Sequence, residues 1–427
     1  MTTSAHSVCM VTTAHSALDD RILYRESASL AKSGYEVTIL APLNDRGSLY
    51  DMAGKSLGTR ETKVGDVRII GYEMGEIGNA IQRFMMLATV GGLRLGHDPF
   101  SRLVALASEL KADVYHCHEI WSLYASLQIK KRLERIGTTT KLIYDVHEYT
   151  PAVISSSSSL FGLYQKIMRG VSVRFEREAL RQVDYAITAN QITRGYLLTL
   201  DRFTRTEVIY NCPTLRNLEA VHREMASTNK VMICHEGSLG FDRGLRAMTE
   251  VLRSLRQTYG ERVELLIIGD VFGPEKDFLN KKIAEYGLHN AIRRTGWLPY
   301  ERVESAISQG DIGIIFMEPT ENNMLAGPPN KLFNYMKLGL AVVSVDLPET
   351  TRIVMETKCG MIVRERDSAN LARTLSLLVE DERKRKELGE NGKRAVRDRY
   401  NWERMEGKLL RVYEEVTYAG NKAGAGQ

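Results

Sequence analysis

Lys331 stands near the start of Asn330-Lys331-Leu332-Phe333-Asn334-Tyr335-Met336-Lys337-Leu338, a run entered through the Pro328-Pro329 turn. Its apolar spacing predicts a short amphipathic helix, which Gly339 stops before a buried strand over Ala341–Val345. A loop-to-helix entry aims backbone N–H groups and the lysine at one spot, a geometry suited to an anion such as a diphosphate. A second turn, His235-Glu236-Gly237-Ser238-Leu239-Gly240-Phe241-Asp242-Arg243-Gly244, joins a predicted strand to an amphipathic helix. Gly237 and Gly240 let backbone N–H groups approach a phosphate, and Arg243 offers a forked cation. Taken alone, such a turn is equally a plain connector. In the first half, Asp113-Val114-Tyr115-His116-Cys117-His118-Glu119 and Tyr144-Asp145-Val146-His147-Glu148 end two predicted strands alike, in histidine followed by glutamate. Alternation puts His116 and His118 on one face, with His118 and Glu119 at the strand's carboxyl edge. His116, His118, His147 and Glu148 are also metal-ligand types. Hydrolases that open a metal site with His-x-His draw further His and Asp ligands from later strand ends. This chain has only scattered candidates there, so no metal is expected.

The elements that must position these residues alternate, strand then helix, through most of the chain, the pattern of parallel α/β folds. In the first half, strands are predicted at Ser7–Thr12, 36–41, Val67–Tyr72, 113–118, 141–147, 185–189 and 207–210. Helices are predicted at 21–33, across 79–110 with a break at Gly91-Gly92, and at about 161–182 after the serine run Ser155–Ser159. Asn211-Cys212-Pro213 and a polar stretch to Lys230 interrupt the series. It resumes with strands at Val231–Glu236, 264–269, 291–295, 312–316, Ala341–Val345 and Gly360–Val363, and ends in a helix over Trp402–Tyr418 behind a capping Asn401. No internal repeat of solenoid period is present.

At 427 residues the chain exceeds one core of ordinary size, so two domains are expected. Its formal charge of +5 divides into +3 over residues 1–212 and +2 beyond, too even for a nucleic-acid binder. Five scattered cysteines without a CxxC read as reduced thiols. A start without basic residues and the absence of a long apolar run predict a soluble cytoplasmic protein, at most peripheral at the inner face of a membrane. Residues 80–95 and 160–173 are the segments amphipathic enough for that contact, although such helices more often face a core.

The run from Pro329 to Met336, with Gly339 and the strand beyond, closely resembles the donor-site motif of family 4 glycosyltransferases. The resemblance extends from about Val8 to the last helix. It implies the GT-B fold, an α/β architecture of two doubly wound Rossmann-like domains with an interdomain cleft. Residues 1–212 would form the acceptor-side domain and 213–400 the donor domain. The helix in 401–427 would cross back to the first domain, followed by a frayed tail. It implies a retaining glycosyltransferase of hexosyltransferase type. Such an enzyme moves a sugar from a nucleotide-diphosphate sugar to a hydroxyl of a glycan, lipid-linked or small-molecule acceptor, with no metal or other cofactor. Arg243 and Lys331 would stabilise the departing diphosphate, and His118 would contact the transferred sugar. Gly237, Ser238, Gly269, Asp270, Trp297, Leu298, Pro329, Asn330 and Asn334 would line the donor site, with Trp297 either stacked on the base or, the preferred reading, buried in the core. His15, Asp19 and Arg21 match a subgroup's pattern near the acceptor, where Asp19 equally suits a helix cap. Glu119 stands for the family's aspartate, and His147 with Glu148 would lie near acceptor or sugar.

Four positions depart from the family. Ser238 replaces an arginine, with Arg243 in place of a nearby lysine, and Asn334 replaces the glutamate that usually holds the ribose hydroxyls. Ala326 stands eight residues before Asn334, where many members carry another glutamate, and Glu318 or Glu321 could compensate. Alternatives are therefore a GT-B partner that has lost donor chemistry, a nucleotide-sugar epimerase on the same architecture, and a metal hydrolase using His116 and His118.

Overall fold

A computed structural model describes residues 6–77, 80–88, 98–152, 162–216 and 230–418. The serine run, the Gly91-Gly92 break, most of the polar stretch before Lys230 and the tail from Ala419 lie outside these residues. The chain divides into two compact units, Met1–Asn211 with Met405–Gln427, and Cys212–Arg404.

The N-terminal unit is built on an eight-stranded sheet: β1 Ser7–Thr12, β2 Glu36–Pro42, β3 Glu61–Val64, β4 Val67–Tyr72, β5 Val114–His118, β6 Lys141–Val146, β7 Tyr185–Thr188 and β8 Thr206–Val208. Their order is β3-β4-β2-β1-β5-β6-β7-β8. Every pairing is parallel except β3 with β4. β1, β5 and β6 are buried almost without interruption, as strands covered on both faces must be. β3 was not expected. It is short and half exposed, and its one sequence signal is the two-residue Gly65-Asp66 turn that closes a hairpin onto Val67.

Where a plain helix was expected from Arg21, the chain winds Asp20–Ser27 as a π-helix and then Ala28–Lys32 as an α-helix. The wider turn brings residues five apart side by side, and two ion pairs take that spacing: Arg21 with Glu26 and Arg25 with Asp20. Helices Ala80–Ala88 and Gly162–Leu180 carry the described parts of the segments considered for membrane contact, whose residues 89–95 and 160–161 lie outside the described residues. Leu87 and Met168 are core residues there, with Phe84, Met86, Tyr164 and Val171 packed against the same core. Among the described residues, no helix is long and apolar enough to cross a membrane. All five cysteines are buried, and none is in a disulfide.

The C-terminal unit has six parallel strands: β9 Val231–Glu236, β10 Val263–Ile268, β11 Ile292–Arg294, β12 Ile312–Ile315, β13 Ala341–Val345 and β14 Gly360–Val363, ordered β11-β10-β9-β12-β13-β14. In both sheets the strand order reverses beside the first strand, between β1 and β5 and between β9 and β12. Carboxyl ends at such a reversal open a crevice, because the connections on either side depart in opposite directions.

Candidate active site

At the reversal of the C-terminal sheet, β9 delivers His235, Glu236 and Gly237 to the edge. The helix Asn330–Leu338 begins beside them. Tyr335, fully buried, ties the two together: its hydroxyl accepts from Glu236 N–H at 2.8 Å and donates to the Cys234 carbonyl at 3.2 Å. Gly339, at φ +74°, ends the helix, and Leu340 N–H returns to the Tyr335 carbonyl. Pro329 precedes the first turn without a side-chain hydrogen bond, and its carbonyl accepts from Leu332 N–H at 2.9 Å, so the N–H groups of Asn330 and Lys331 ahead of it are the ones a helix leaves for another acceptor.

Lys331 is buried, 7% exposed, with its Nζ 3.4 Å from His235 Nε2 and beside Gly237. An ammonium only donates, so this His235 nitrogen accepts. Burial lowers the Lys331 pKa to about 8; the Glu236 carboxylate opposes that fall and the Arg243 charge adds to it. The two expected cations thus lie close enough for each to act on the other's neighbourhood. Arg243 is half exposed and pairs with Asp242 at 3.1 Å. Its turn is held from two sides. Gly244, at φ +88°, passes so near Phe316 that a β-carbon would fall 1.9 Å from the Phe316 carbonyl oxygen. Asn323 donates to the backbone carbonyls of both Asp242 and Glu318.

Gly269 lies against Gly237, where a β-carbon would fall 2.4 Å from the Gly237 carbonyl oxygen. This contact corrects one expectation. Gly237 N–H does not face the open edge; it donates to the Ile268 carbonyl, and Leu239 N–H donates to that of Asp270. Ser238 is exposed, Gly240 is not left-handed, and Asp270 is half-buried, accepting from Val271 N–H. Trp297, expected in the core, is 58% exposed, because Gly296 at φ +67° turns the chain outward after β11; Leu298 beside it is half-buried. Asn330 is exposed and Pro329 half-buried at the helix entry.

Asn334 donates to Glu236 Oε1 at 2.7 Å. A carboxylate therefore stands at the Asn334 position after all, supplied by β9 instead of by the helix. Sequence reading missed Glu236 and His235 because nothing in their immediate neighbours announces a pairing across about a hundred residues. Glu318 and Glu321 are both exposed.

At the reversal of the N-terminal sheet, Arg21, Glu26, His116, His118 and Asp145 form a sealed cluster. Arg21 clamps Asp145 through Nε and Nη2 at 2.9 and 3.1 Å, and its Nη1 donates to the Ile209 carbonyl at 2.8 Å. Burial alone would raise the Asp145 pKa; Arg21 and the neighbouring imidazoles hold it well below the carboxylate range. Glu26 is pushed well above that range, mainly by burial, against the Arg21 charge. Burial keeps His116 neutral and lowers His118 to about 4. Tyr413, from the helix Trp402–Tyr418, lies 2.9 Å from His116 Nδ1.

Two expectations change here. Arg21 holds the sheet's edge together, being 4% exposed and committed to Asp145 and Glu26. His118, expected at the sugar, is enclosed by Glu26, Asp145 and His147, with no exposed surface. His15, Glu119 and His147, beside this cluster, keep partial solvent access. Asp19 caps the π-helix, accepting from Arg21 and Ile22 N–H, and also holds His15 Nδ1 at 3.2 Å. Burial opposes the ionised form of Asp19, but these contacts outweigh it and keep its pKa depressed. His15 is the counterpart: burial disfavours its charge, and Asp19 raises its pKa nevertheless. Glu119, not the exposed Glu148, is the carboxylate beside His147. It sits at φ +70°, a conformation that costs a non-glycine residue about 1–3 kcal/mol and collects at functional sites.

Comparison with known proteins agrees with this geometry. Residues 20–213 match the profile described as Glycosyltransferase Family 4, and residues 219–395 match that of Glycosyl transferases group 1. The chain belongs to the glycosyltransferases of the GT-B fold, with a family 4 domain followed by a group 1 domain. An uncharacterized glycosyltransferase of Methanocaldococcus jannaschii is 21% identical over 243 residues, 55% of this chain and 59% of that protein. The chain spans about half the length of the curated relatives it matches. Among solved structures, sucrose-phosphate synthase from Thermosynechococcus elongatus aligns at a TM-score of 0.70 with 14% identity, over 97% of this chain and 100% of that one. Anabaena HepE, in complex with UDP and glucose, aligns at 0.66 with 15% identity, over 96% and 100%.

Proposed function

We propose that this protein transfers a sugar from a nucleotide-diphosphate sugar to a hydroxyl acceptor with retention of anomeric configuration. The observation that carries the reading is Lys331: a buried ammonium at an uncapped helix entry, beside Gly237 and within range of the Arg243 charge. A cation desolvated without a full ion pair is costly, and a diphosphate arriving there would offset that cost. The UDP and glucose held by Anabaena HepE favour a nucleotide sugar as the ligand.

Lys331 and Arg243 would take up the charge that develops on the departing diphosphate, so neutralising it needs no metal. The acceptor hydroxyl would attack on the face the phosphate leaves, giving its proton to a phosphate oxygen, which retains configuration. Glu236 and Asn334 would contact the nucleotide's ribose as one pair. His15, Glu119 and His147 would face the acceptor side. A thermal-shift screen against UDP, GDP, ADP and TDP, alone and as sugar conjugates, tests the reading. One nucleotide series should stabilise the protein, equally with EDTA present. Flat melting temperatures up to millimolar ligand would sink it, and stabilisation that needs a divalent ion would remove the metal-free part.

A further inference from the structure

His15, Glu119 and His147, at the carboxyl edge of the N-terminal sheet, each bring one ligand-type atom to within 4.8 Å of the other two. Their side chains keep 26%, 19% and 14% of their exposure, so the group is reachable from solvent. Each imidazole is held from behind by a carboxylate. His15 Nδ1 lies 3.2 Å from Asp19 Oδ2, and His147 Nε2 lies 3.0 Å from Asp145 Oδ2. Asp145 is gripped by the Arg21 guanidinium and Asp19 accepts two backbone N–H groups, so both act as acceptors. The nitrogens facing them must therefore carry the protons. In the neutral rings that tautomer leaves His15 Nε2 and His147 Nδ1 as bare lone pairs.

What those lone pairs meet is another acceptor. His147 Nδ1 is 3.6 Å from Glu119 Oε1, and His15 Nε2 is buried with no hydrogen-bond partner among the described residues. Glu119 is fixed in place, with Oε1 accepting the backbone N–H of His147 at 3.1 Å and its own backbone at φ +70°. Apart from that backbone N–H, the three acceptor atoms meet no donor among the described residues and repel one another, and a cation at their centre reverses the sign. Two imidazoles backed by carboxylates, with one carboxylate beside them, are the ligand set of borderline divalent transition ions. We propose that His15, Glu119 and His147 bind such an ion, of the Zn²⁺ class, with its remaining positions open to solvent.

The deeper group of Glu26, His116, His118 and Asp145 has similar spacing but is a poorer host. Arg21 already supplies its cation, 2.9 Å from both carboxylates, and all four side chains are sealed from solvent. The proposed ion belongs to the N-terminal unit alone. It is thus independent of the diphosphate reading, and UDP binding unaffected by EDTA is compatible with it.

Titration of the full chain, stripped with EDTA, with Co²⁺ tests the proposal. One Co²⁺ per chain should bind with the visible absorption of a nitrogen and oxygen site, and one equivalent of Zn²⁺ should displace it. Glu119→Gln and His147→Gln should each weaken Co²⁺ binding about tenfold or more. His6→Gln, outside the group, should not, and circular dichroism should show all variants folded. If His147→Gln fails to fold, His15→Asn takes its place. No saturable Co²⁺ binding by 1 mM (~1,000 times a micromolar site), or equal binding in every folded variant, overturns the proposal. A His15 imidazolium detected by ¹⁵N NMR in the presence of excess Zn²⁺ overturns it as well, by supplying the missing donor as a proton.

Discussion

Lys331→Met separates the cost of holding a buried cation from its use. At 7% exposure the side chain is almost fully desolvated, and burial lowers its pKa from 10.5 to about 8. At pH 7 that fall corresponds to roughly 3 kcal/mol of destabilisation in the free protein. Methionine keeps most of the stem's packing and drops the charge. It leaves His235 Nε2 unpaired, which returns about 1 kcal/mol of the gain. The free variant should therefore melt at the same temperature or a few degrees higher, since about 1 kcal/mol moves a unit of this size by roughly 2–4 °C. Nucleotide binding should move the other way. Losing a hydrogen bond to a charged partner costs about 1.5–3 kcal/mol, or roughly 10–150-fold in Kd. Differential scanning fluorimetry of the free variant and calorimetric titration with UDP, or with whichever diphosphate the screen selects, give the two numbers. An affinity within twofold of wild type would refute the reasoning. So would a weakened affinity that comes with a lowered melting temperature, because Lys331 would then be serving the fold.

Asn334→Glu restores the acid common in the family but sets it against Glu236, 2.7 Å from the present amide; diphosphate affinity should fall, and the double variant Asn334→Glu with Glu236→Gln should recover it, read by the same titration. The affinity should also depend on pH with a defined sign. Phosphate raises the Lys331 pKa from about 8 in the free protein, so the contribution is complete below pH 8 and is lost as pH rises toward the bound-state value, at most about tenfold per unit. Calorimetry from pH 7 to 9.5 should show weakening with proton uptake, and a flat profile contradicts it. Gly244→Ala forces a β-carbon onto the Phe316 carbonyl at a left-handed position, and should cost about 2 kcal/mol or more by chemical denaturation while weakening diphosphate binding through Arg243.

Elements whose cause is local were legible in the sequence. Val231–Glu236, Ala341–Val345, Gly360–Val363 and Trp402–Tyr418 are apolar runs or helical periods bounded by their own stop signals, and the structure returns the same bounds. The helix at Lys331 was legible for the same reason, because Pro329 opens it and Gly339 closes it. What was hidden depends on partners far along the chain. Arg21 in the π-helix is committed to Asp145, 124 residues away, which its own neighbours do not announce. Asn334 looked like a lost contact until Glu236, 98 residues earlier, proved to face it. His118 and Trp297 exchanged their expected environments: strand alternation fixes the side of a sheet but not what covers His118, and Trp297 lies beyond β11 in the loop after Gly296.

The most direct measurement is a crystal structure of the protein with the stabilising nucleotide diphosphate. The account predicts phosphate oxygens within about 3.2 Å of both Lys331 Nζ and the Arg243 guanidinium, at the entry of the helix Asn330–Leu338. A diphosphate bound elsewhere, or one that leaves Lys331 on His235 alone, would contradict it.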